Sequence, residues 1–270
     1  TPKTSISDNY GGEFLFVSPA DIQGNRYVDE TITTLTKKGF DQGRKIRKRA
    51  SLFVSIGSTI GKVAQTSQES TTNQQINAVE PYDNFDDDFI FTSLENISGS
   101  IKAIASNQAV PIVNKTTFGE TEIQVPSELE EQQKIGAYFR NLDHLITLHQ
   151  QKCDETKEFK KYMLQNMFPQ KDEKVPKIRF DGFTGDWEQR KLKEIANKVS
   201  EKNKNNEFSE PFTNSAEQGI ISQKDYFDRE IVNNENLDGY YIVRNDDFIY
   251  NPRISVTAPV GPINRNRLGR

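Results

Sequence analysis

The sequence predicts an α+β protein in which two mixed α/β units are joined by a long coiled-coil-type helix. Three observations carry that expectation. First, residues 127–168 run without a proline and with one glycine, Gly136. Apolar or neutral side chains recur there at Ile135, Phe139, Leu142, Ile146, His149, Cys153, Thr156, Met163 and Met167. Steps alternating four and three mark the seam of a coiled coil. Second, short β-rich runs bounded by Gly, Asn and Asp turns lie on both sides of that helix. Third, a charged, Pro-bounded stretch, 169–176, separates the helix from the C-terminal third of the chain. The expected divisions are therefore a first unit at 1–126, the helix at 127–168, the linker at 169–176 and a second unit at 177–270.

In the first unit, Phe14–Val17 is a short apolar strand, and Thr31 to Gly39 reads as a helix ending at its glycine. Ser51–Ile56 and Gly61–Gln65 are strands around a Gly-Ser-Thr-Ile-Gly turn, and Gln74–Val79 is a third. Asp86 to Ile97 opens with three acids, which favour a helix N-terminus. Ser100–Ser106 reads as a second short helix and Glu122–Val125 as a closing strand. The long helix starts after Pro126, with Ser127 and Glu130 as a capping box. At ~1.5 Å per residue it makes a rod of roughly 60 Å. A second stripe, Tyr138, Leu145, Leu148, Phe159 and Tyr162, widens its apolar face beyond a two-helix seam.

In the second unit, Trp187 to Ala196 suits a short amphipathic helix. Ile231–Val232, Tyr240–Val243 and Phe248–Tyr250 are strand candidates. Phe53-Val54-Ser55 before a glycine turn resembles Phe248-Ile249-Tyr250 before Asn251-Pro252-Arg253, which suggests a repeat. The first unit has no counterpart of Trp187–Ala196, and the second stops at Arg270 just after a turn. Both are expected to be clipped.

Composition narrows the classes. Apolar content is 34%, yet 17 Phe and 9 Tyr mark a globular chain. A net charge of −4 argues against indiscriminate polyanion binding while leaving room for a local basic patch. One cysteine and two histidines exclude a disulfide framework and argue against a Cys/His zinc site. No apolar run reaches membrane-spanning length and no signal peptide opens the chain. A soluble cytoplasmic protein with no membrane partner is expected.

Few motifs carry chemistry. Gly57-Ser-Thr-Ile-Gly61-Lys62 has three residues between its glycines and Val63 after the lysine, so it fails as a phosphate-binding loop. Asn251-Pro252-Arg253 lacks the second proline and the aromatic of adenine methyltransferases. His149 and Cys153, one turn apart, read as seam residues. No nucleophile–base pair stands out, so no catalytic residue and no metal site are expected.

The remaining features suit nucleic acid. Arg44-Lys45-Ile46-Arg47-Lys48-Arg49 puts five cations in six residues. From Phe248 onward stand Arg253, Arg265, Arg267 and Arg270 with no acid. Such clusters contact phosphates, although a solvated surface run reads the same way. Amides lie near each cluster: Asn73, Gln74 and Gln75, and Asn251 with Asn264 and Asn266. These can pair with adenine edges or simply build turns.

Together these stretches resemble the DNA-specificity subunit of Type I restriction–modification systems. The resemblance spans essentially the whole chain. It rests on Ile56-Gly-Ser-Thr-Ile-Gly-Lys62-Val63, Thr72-Asn-Gln-Gln-Ile-Asn77 and Pro126 leading into Glu131-Gln-Gln-Lys-Ile135. Further pieces are Leu164-Gln-Asn-Met-Phe168-Pro169, Pro176-Lys-Ile-Arg-Phe180, Trp187-Glu-Gln-Arg-Lys-Leu192 and Asn251-Pro-Arg-Ile-Ser-Val256.

The resemblance implies two target-recognition domains, each reading one half of a split double-stranded DNA site. It also implies two long helices packed antiparallel, of which this chain has the first. The expected DNA contacts are Arg44, Lys45, Arg47, Arg49, Ser58, Thr59, Lys62, Asn73, Gln74, Gln75, Asn251 and Arg253. Lys62 and Arg47 are both expected beside the glycine turn. The expected partner surface is Ile135, Phe139, Leu142, Ile146, Phe159 and Met163. By the same resemblance, modification subunits bring S-adenosylmethionine and methylate adenine, and restriction subunits bring ATP and Mg. This chain needs no cofactor. A stiff spacer suits half-sites about one turn of B-DNA, ~34 Å, apart. The competing reading is a coiled-coil scaffold that binds protein only. A stand-alone methyltransferase would need a methyl-donor site that is not evident.

Overall fold

The run YGGEFLFV forms β1 (Tyr10–Val17), with Leu15, Phe16 and Val17 buried. After β2 (Tyr27–Val28) and β3 (Thr34–Leu35), α1 spans Lys37–Gln42. The helix expected over Thr31–Gly39 is thus largely extended chain. Its true start is set by Thr36, whose hydroxyl accepts the Gly39 N–H at 3.2 Å and places that glycine inside the helix. The computed structural model describes residues 1–3, 5–105, 112–227, 237–254 and 258–270. They form two compact units, Thr1–Phe168 and Pro169–Arg270.

The first unit is built on β4 (Ser51–Val54), β5 (Val63–Thr66), β6 (Thr71–Thr72) and β7 (Ile76–Val79). One sheet has the order β2-β5-β4-β7, and a smaller one the order β3-β1-β6. β4 runs antiparallel to both neighbours, with Leu52 opposite Ala64 and Ala78. All four of its residues are buried, and its Leu52-Phe53-Val54 run is apolar, as suits a central strand. Leu52 and Val54 join Val17, Ile22, Val28 and Ile76 on one face, and Phe53 meets Ile60, Ile101 and Val113 on the other.

The two helices expected over 86–106 are one, α2 (Asp87–Ala105), because Gly99 sits in open space and does not break it; Ser106 lies outside the described residues. α3 (Lys115–Gly119) comes next, capped by Asn114. Glu122–Val125 joins no ladder; Ile123 and Val125 pack instead on the Phe89–Ile90–Leu94 cluster of α2.

α4 (Leu129–Asn166) is a continuous helix of 38 residues, roughly 57 Å long. Its cap is Glu128 without a side-chain bond, so the Ser127–Glu130 box does not form. Gln132 anchors this end, donating to Pro126 O at 3.0 Å and accepting the Asp86 N–H at 3.1 Å. At Gly136 the two helices touch backbone to backbone: a Cβ there would collide with the Asp86 carboxylate and lie 2.6 Å from Phe89 N. Gly136→Val is therefore expected to destabilise the unit by about 1–3 kcal/mol in urea denaturation. Gly99→Ala, in open space within a helix, should instead stabilise by about 0.5–1 kcal/mol.

The second unit is sparser. α5 (Leu192–Ile195) is one exposed turn of the helix expected from Trp187 to Ala196. Trp187 lies outside it, its N–H bonded to Lys174 O at 2.8 Å. β8 (Phe212–Ser215) and β9 (Gly219–Ser222) pair as an unanticipated hairpin, succeeded by α6 (Gln223–Tyr226). β10 (Phe248–Tyr250), expected as a strand, pairs with β11 (Ile263–Arg265). Asn264 donates to Asn214 Oδ1 at 2.7 Å, and Asn214 donates to Ile249 O at 2.8 Å, so amides knit the two hairpins. Among the described residues Tyr240–Val243 forms no strand ladder; Tyr241 bridges Lys202. Ile231–Val232 lies outside the described residues. Among the described residues the suggested repeat does not extend to the fold, since buried β4 pairs with two strands and β10 with one.

Candidate nucleic-acid interface

The expected DNA-contacting residues of the first unit fall at two ends of β4. Gly57 and Gly61 take φ of +92° and +90°, which only glycine adopts freely, and hold Ser58 exposed and Thr59 half-buried in the turn. The 73–75 loop lies at the same end, where Gln75 O accepts the Ser55 N–H at 2.8 Å. Asn73 Oδ1 accepts the Gln75 N–H at 3.0 Å, which is turn chemistry, while Gln74 is exposed and accepts from Thr1. Lys62 is half-buried and donates to Ile22 O at 3.1 Å.

Arg44 to Arg49 enter at the opposite end, before Ser51. Four residues of strand at ~3.3 Å each separate the two groups by roughly 13 Å. Arg47 therefore does not flank the turn, contrary to the expectation from sequence. It forms a fork with Asp87 instead (2.5 and 2.9 Å), which holds its guanidinium above the ordinary pKa. Lys45 pairs with Asp41 at 2.9 Å and lies over Phe40. Lys37 and Lys45 together hold the Asp41 carboxyl below its usual range. Arg49 reaches Asp88 at 2.6 Å. Arg44 and Lys48 are exposed, with no ion pair among the described residues.

Behind this run lies a buried ionic cluster that sequence reasoning missed. The Arg26 side chain, 3% exposed, gives Nε to Gln65 at 2.9 Å, Nη2 to Asp88 at 3.0 Å and Nη1 to Asp143 at 2.6 Å. Its face rests 4.3 Å from the Phe91 ring centroid. Asp88, 2% exposed, also accepts Arg140 at 2.7 Å. Burial and the nearby Asp143 charge push the Glu95 carboxyl up. A groove of about 530 Å³ opens beside the cluster between Asn25–Asp29 and α4.

α4 presents two faces. Gln132, Gly136, Arg140 and Asp143, spaced four, four and three, meet the chain's own domain. Of the expected partner surface, Ile135 packs inward on the Phe89 cluster, and its place is a domain contact. Phe139, Leu142, Ile146 and Phe159 are exposed, Ile146 by 66%, while Met163 is half-buried. In the second unit, Asn251 Oδ1 accepts the Arg253 N–H at 3.0 Å, which closes a turn; Arg253 is exposed. Asn264 and Asn266 are spent on internal bonds. Arg265 pairs with Asp246 at 3.0 Å and Arg270 with Glu210 at 2.6 Å.

The family model for the Type I restriction modification DNA specificity domain matches residues 1–158. This chain belongs to that family. Among curated relatives, the specificity subunit of the type I restriction enzyme HindI of Haemophilus influenzae is 33% identical over 132 residues, 47% of this chain and 29% of the relative. The MjaIX specificity subunit of Methanocaldococcus jannaschii is 27% identical over 151 residues, 54% of this chain and 35% of the relative. The type I specificity-domain chain thus spans about a third of the length of these relatives. A crystal structure of a type I S subunit from M. genitalium aligns at a TM-score of 0.48 with 14% identity, over 63% of this chain and 42% of that one. Among the described residues of this family member, no three His, Cys, Asp or Glu gather to hold a metal, and no helix is long and apolar enough to cross a membrane.

Proposed function

We propose that this chain is the site-choosing part of a type I restriction–modification complex and binds double-stranded DNA through both units. Membership of the specificity-domain family over residues 1–158 carries the reading. The geometry suits it in a specific way. The turn residues Ser58 and Thr59 and the basic run stand at opposite ends of β4, so one can enter a groove while the other meets the flanking backbone. The turn and Gln74 reach base edges while Arg44 and Lys48 hold flanking phosphates. Arg253 does the same for the second half-site. The open face of α4 docks modification subunits, which supply S-adenosylmethionine, and restriction subunits, which need ATP and Mg, join that core. The chain itself does no bond-breaking chemistry.

Fluorescence anisotropy of a labelled duplex against salt tests this. Affinity should fall steeply, and Arg44→Ala with Lys48→Ala should reduce the slope of log affinity on log salt by about 0.9 for each cation removed. Arg47→Ala should change it less, because Asp87 already holds that guanidinium. Absence of salt-dependent duplex binding would leave a protein-only scaffold.

A further inference from the structure

We propose that Arg26, Asp88, Arg140 and Asp143 form a positioning device that, within the first unit, fixes the angle between the domain of residues 1–126 and α4. The inference rests on reading that unit as the one that contacts DNA, since only then does its angle on the rod matter. The four residues come from three elements: Arg26 leads into β2, Asp88 lies in the first turn of α2, and Arg140 and Asp143 lie one turn apart on α4. They meet in one cluster around the buried Arg26 and Asp88.

Leverage explains why these contacts matter more than their number. α4 is held to its unit along Gln132, Gly136, Arg140 and Asp143, a base of roughly 17 Å, and extends a further ~35 Å to Asn166. Play of a given size at the base doubles at the tip. Without Arg140 and Asp143 the base shrinks to the ~6 Å between Gln132 and Gly136, ahead of a ~45 Å arm. The same play is then magnified about sevenfold.

Direction is the second argument. Apolar contacts slide, whereas hydrogen-bonded charges impose an orientation. Arg26 is gripped by Gln65, by Asp88 and by the Phe91 ring, so Asp143 of α4 meets a fixed point. Arg140 reaches the other oxygen of the same Asp88. The helix is thus tied to two charges that the domain itself holds still.

Spin labels on Ser58→Cys and Lys161→Cys, in a Cys153→Ser background of the full chain, read the angle as a distance distribution by pulsed electron resonance. The parent should give one narrow maximum. Arg140→Gln combined with Asp143→Asn should lose that maximum and give a broad, shifted distribution. The urea midpoint should fall far less than for Asp88→Ala, because Arg26 and Arg49 still satisfy Asp88, while Arg26 keeps Asp88 and finds an amide oxygen at position 143. An unchanged distribution in a folded variant overturns the proposal, for a merely stabilising role would lower the midpoint and leave the distance alone. Should that variant fail to fold, Arg140→Lys, which keeps the charge and loses the directed guanidinium bond to Asp88, should broaden the distribution too, and a parent-like result there is equally fatal. The readout needs no DNA. Failure of the parent to bind duplex would remove the functional reading without altering the measured angle.

Discussion

Asp88→Ala is expected to destabilise the first unit by about 3–5 kcal/mol, the cost of removing one partner from a buried charge pair. The carboxylate is 2% exposed and accepts Arg26, Arg49 and Arg140 at 2.6–3.0 Å. Its loss leaves Arg26, 3% exposed, with Gln65, Asp143 and an aromatic face. With so little of that guanidinium exposed, water compensates poorly for the lost partner. Arg49→Ala and Arg140→Ala should cost far less. Their side chains are 38% and 40% exposed, and solvent screens what they lose. Urea unfolding monitored by circular dichroism measures the series. Equal effects from Asp88→Ala and Arg140→Ala would show that burial does not set the ranking.

This contrast explains what the sequence reveals and what it hides. The long helix is legible because its apolar residues repeat at 3.5 positions, a period that survives whatever packs against it. The opposite stripe is not: Gln132, Gly136, Arg140 and Asp143 have the same helical spacing, but a search for apolar periodicity passes over amide, glycine and charge. Arg47 and Arg49 are conspicuous as charge, yet their acids, Asp87 and Asp88, come about forty residues later. Only the fold shows which cations are already held. β4 is read correctly because its buried Leu52-Phe53-Val54 run is apolar on both faces. Thr31–Gly39 is misread because a capping threonine at its sixth residue, Thr36, outweighs the glycine as a boundary mark. Amides divide in the same way. Asn73 and Asn251 resemble base-reading residues in sequence, and in the structure their side chains accept a backbone N–H two residues on.

Phe139→Asp with Leu142→Asp should abolish the docking proposed for α4 while leaving its domain folded. Both side chains are exposed, 41% and 37%, and they continue into Leu145, Ile146, Phe159 and Tyr162 along the same helix. An apolar strip of that length facing water marks an interaction surface. Phe139, Leu142 and Ile146 step by three and four, as knobs must when they enter the holes of another helix. The domain draws little from them: its grip on α4 uses the polar stripe and Ile135, so folding stability should shift by no more than about 1 kcal/mol, mostly the poorer helix propensity of Asp. A charge placed at a central apolar contact, by contrast, costs about 2–4 kcal/mol of association at each hot spot. One such loss is roughly a 30- to 1000-fold fall in affinity. Co-purification of the variant with a modification subunit, together with a urea midpoint for the variant alone, separates the two effects. Retained assembly with an unchanged midpoint would mean that partners dock elsewhere. A collapsed midpoint would mean that Phe139 and Leu142 belong to the domain core, against the exposure seen for both.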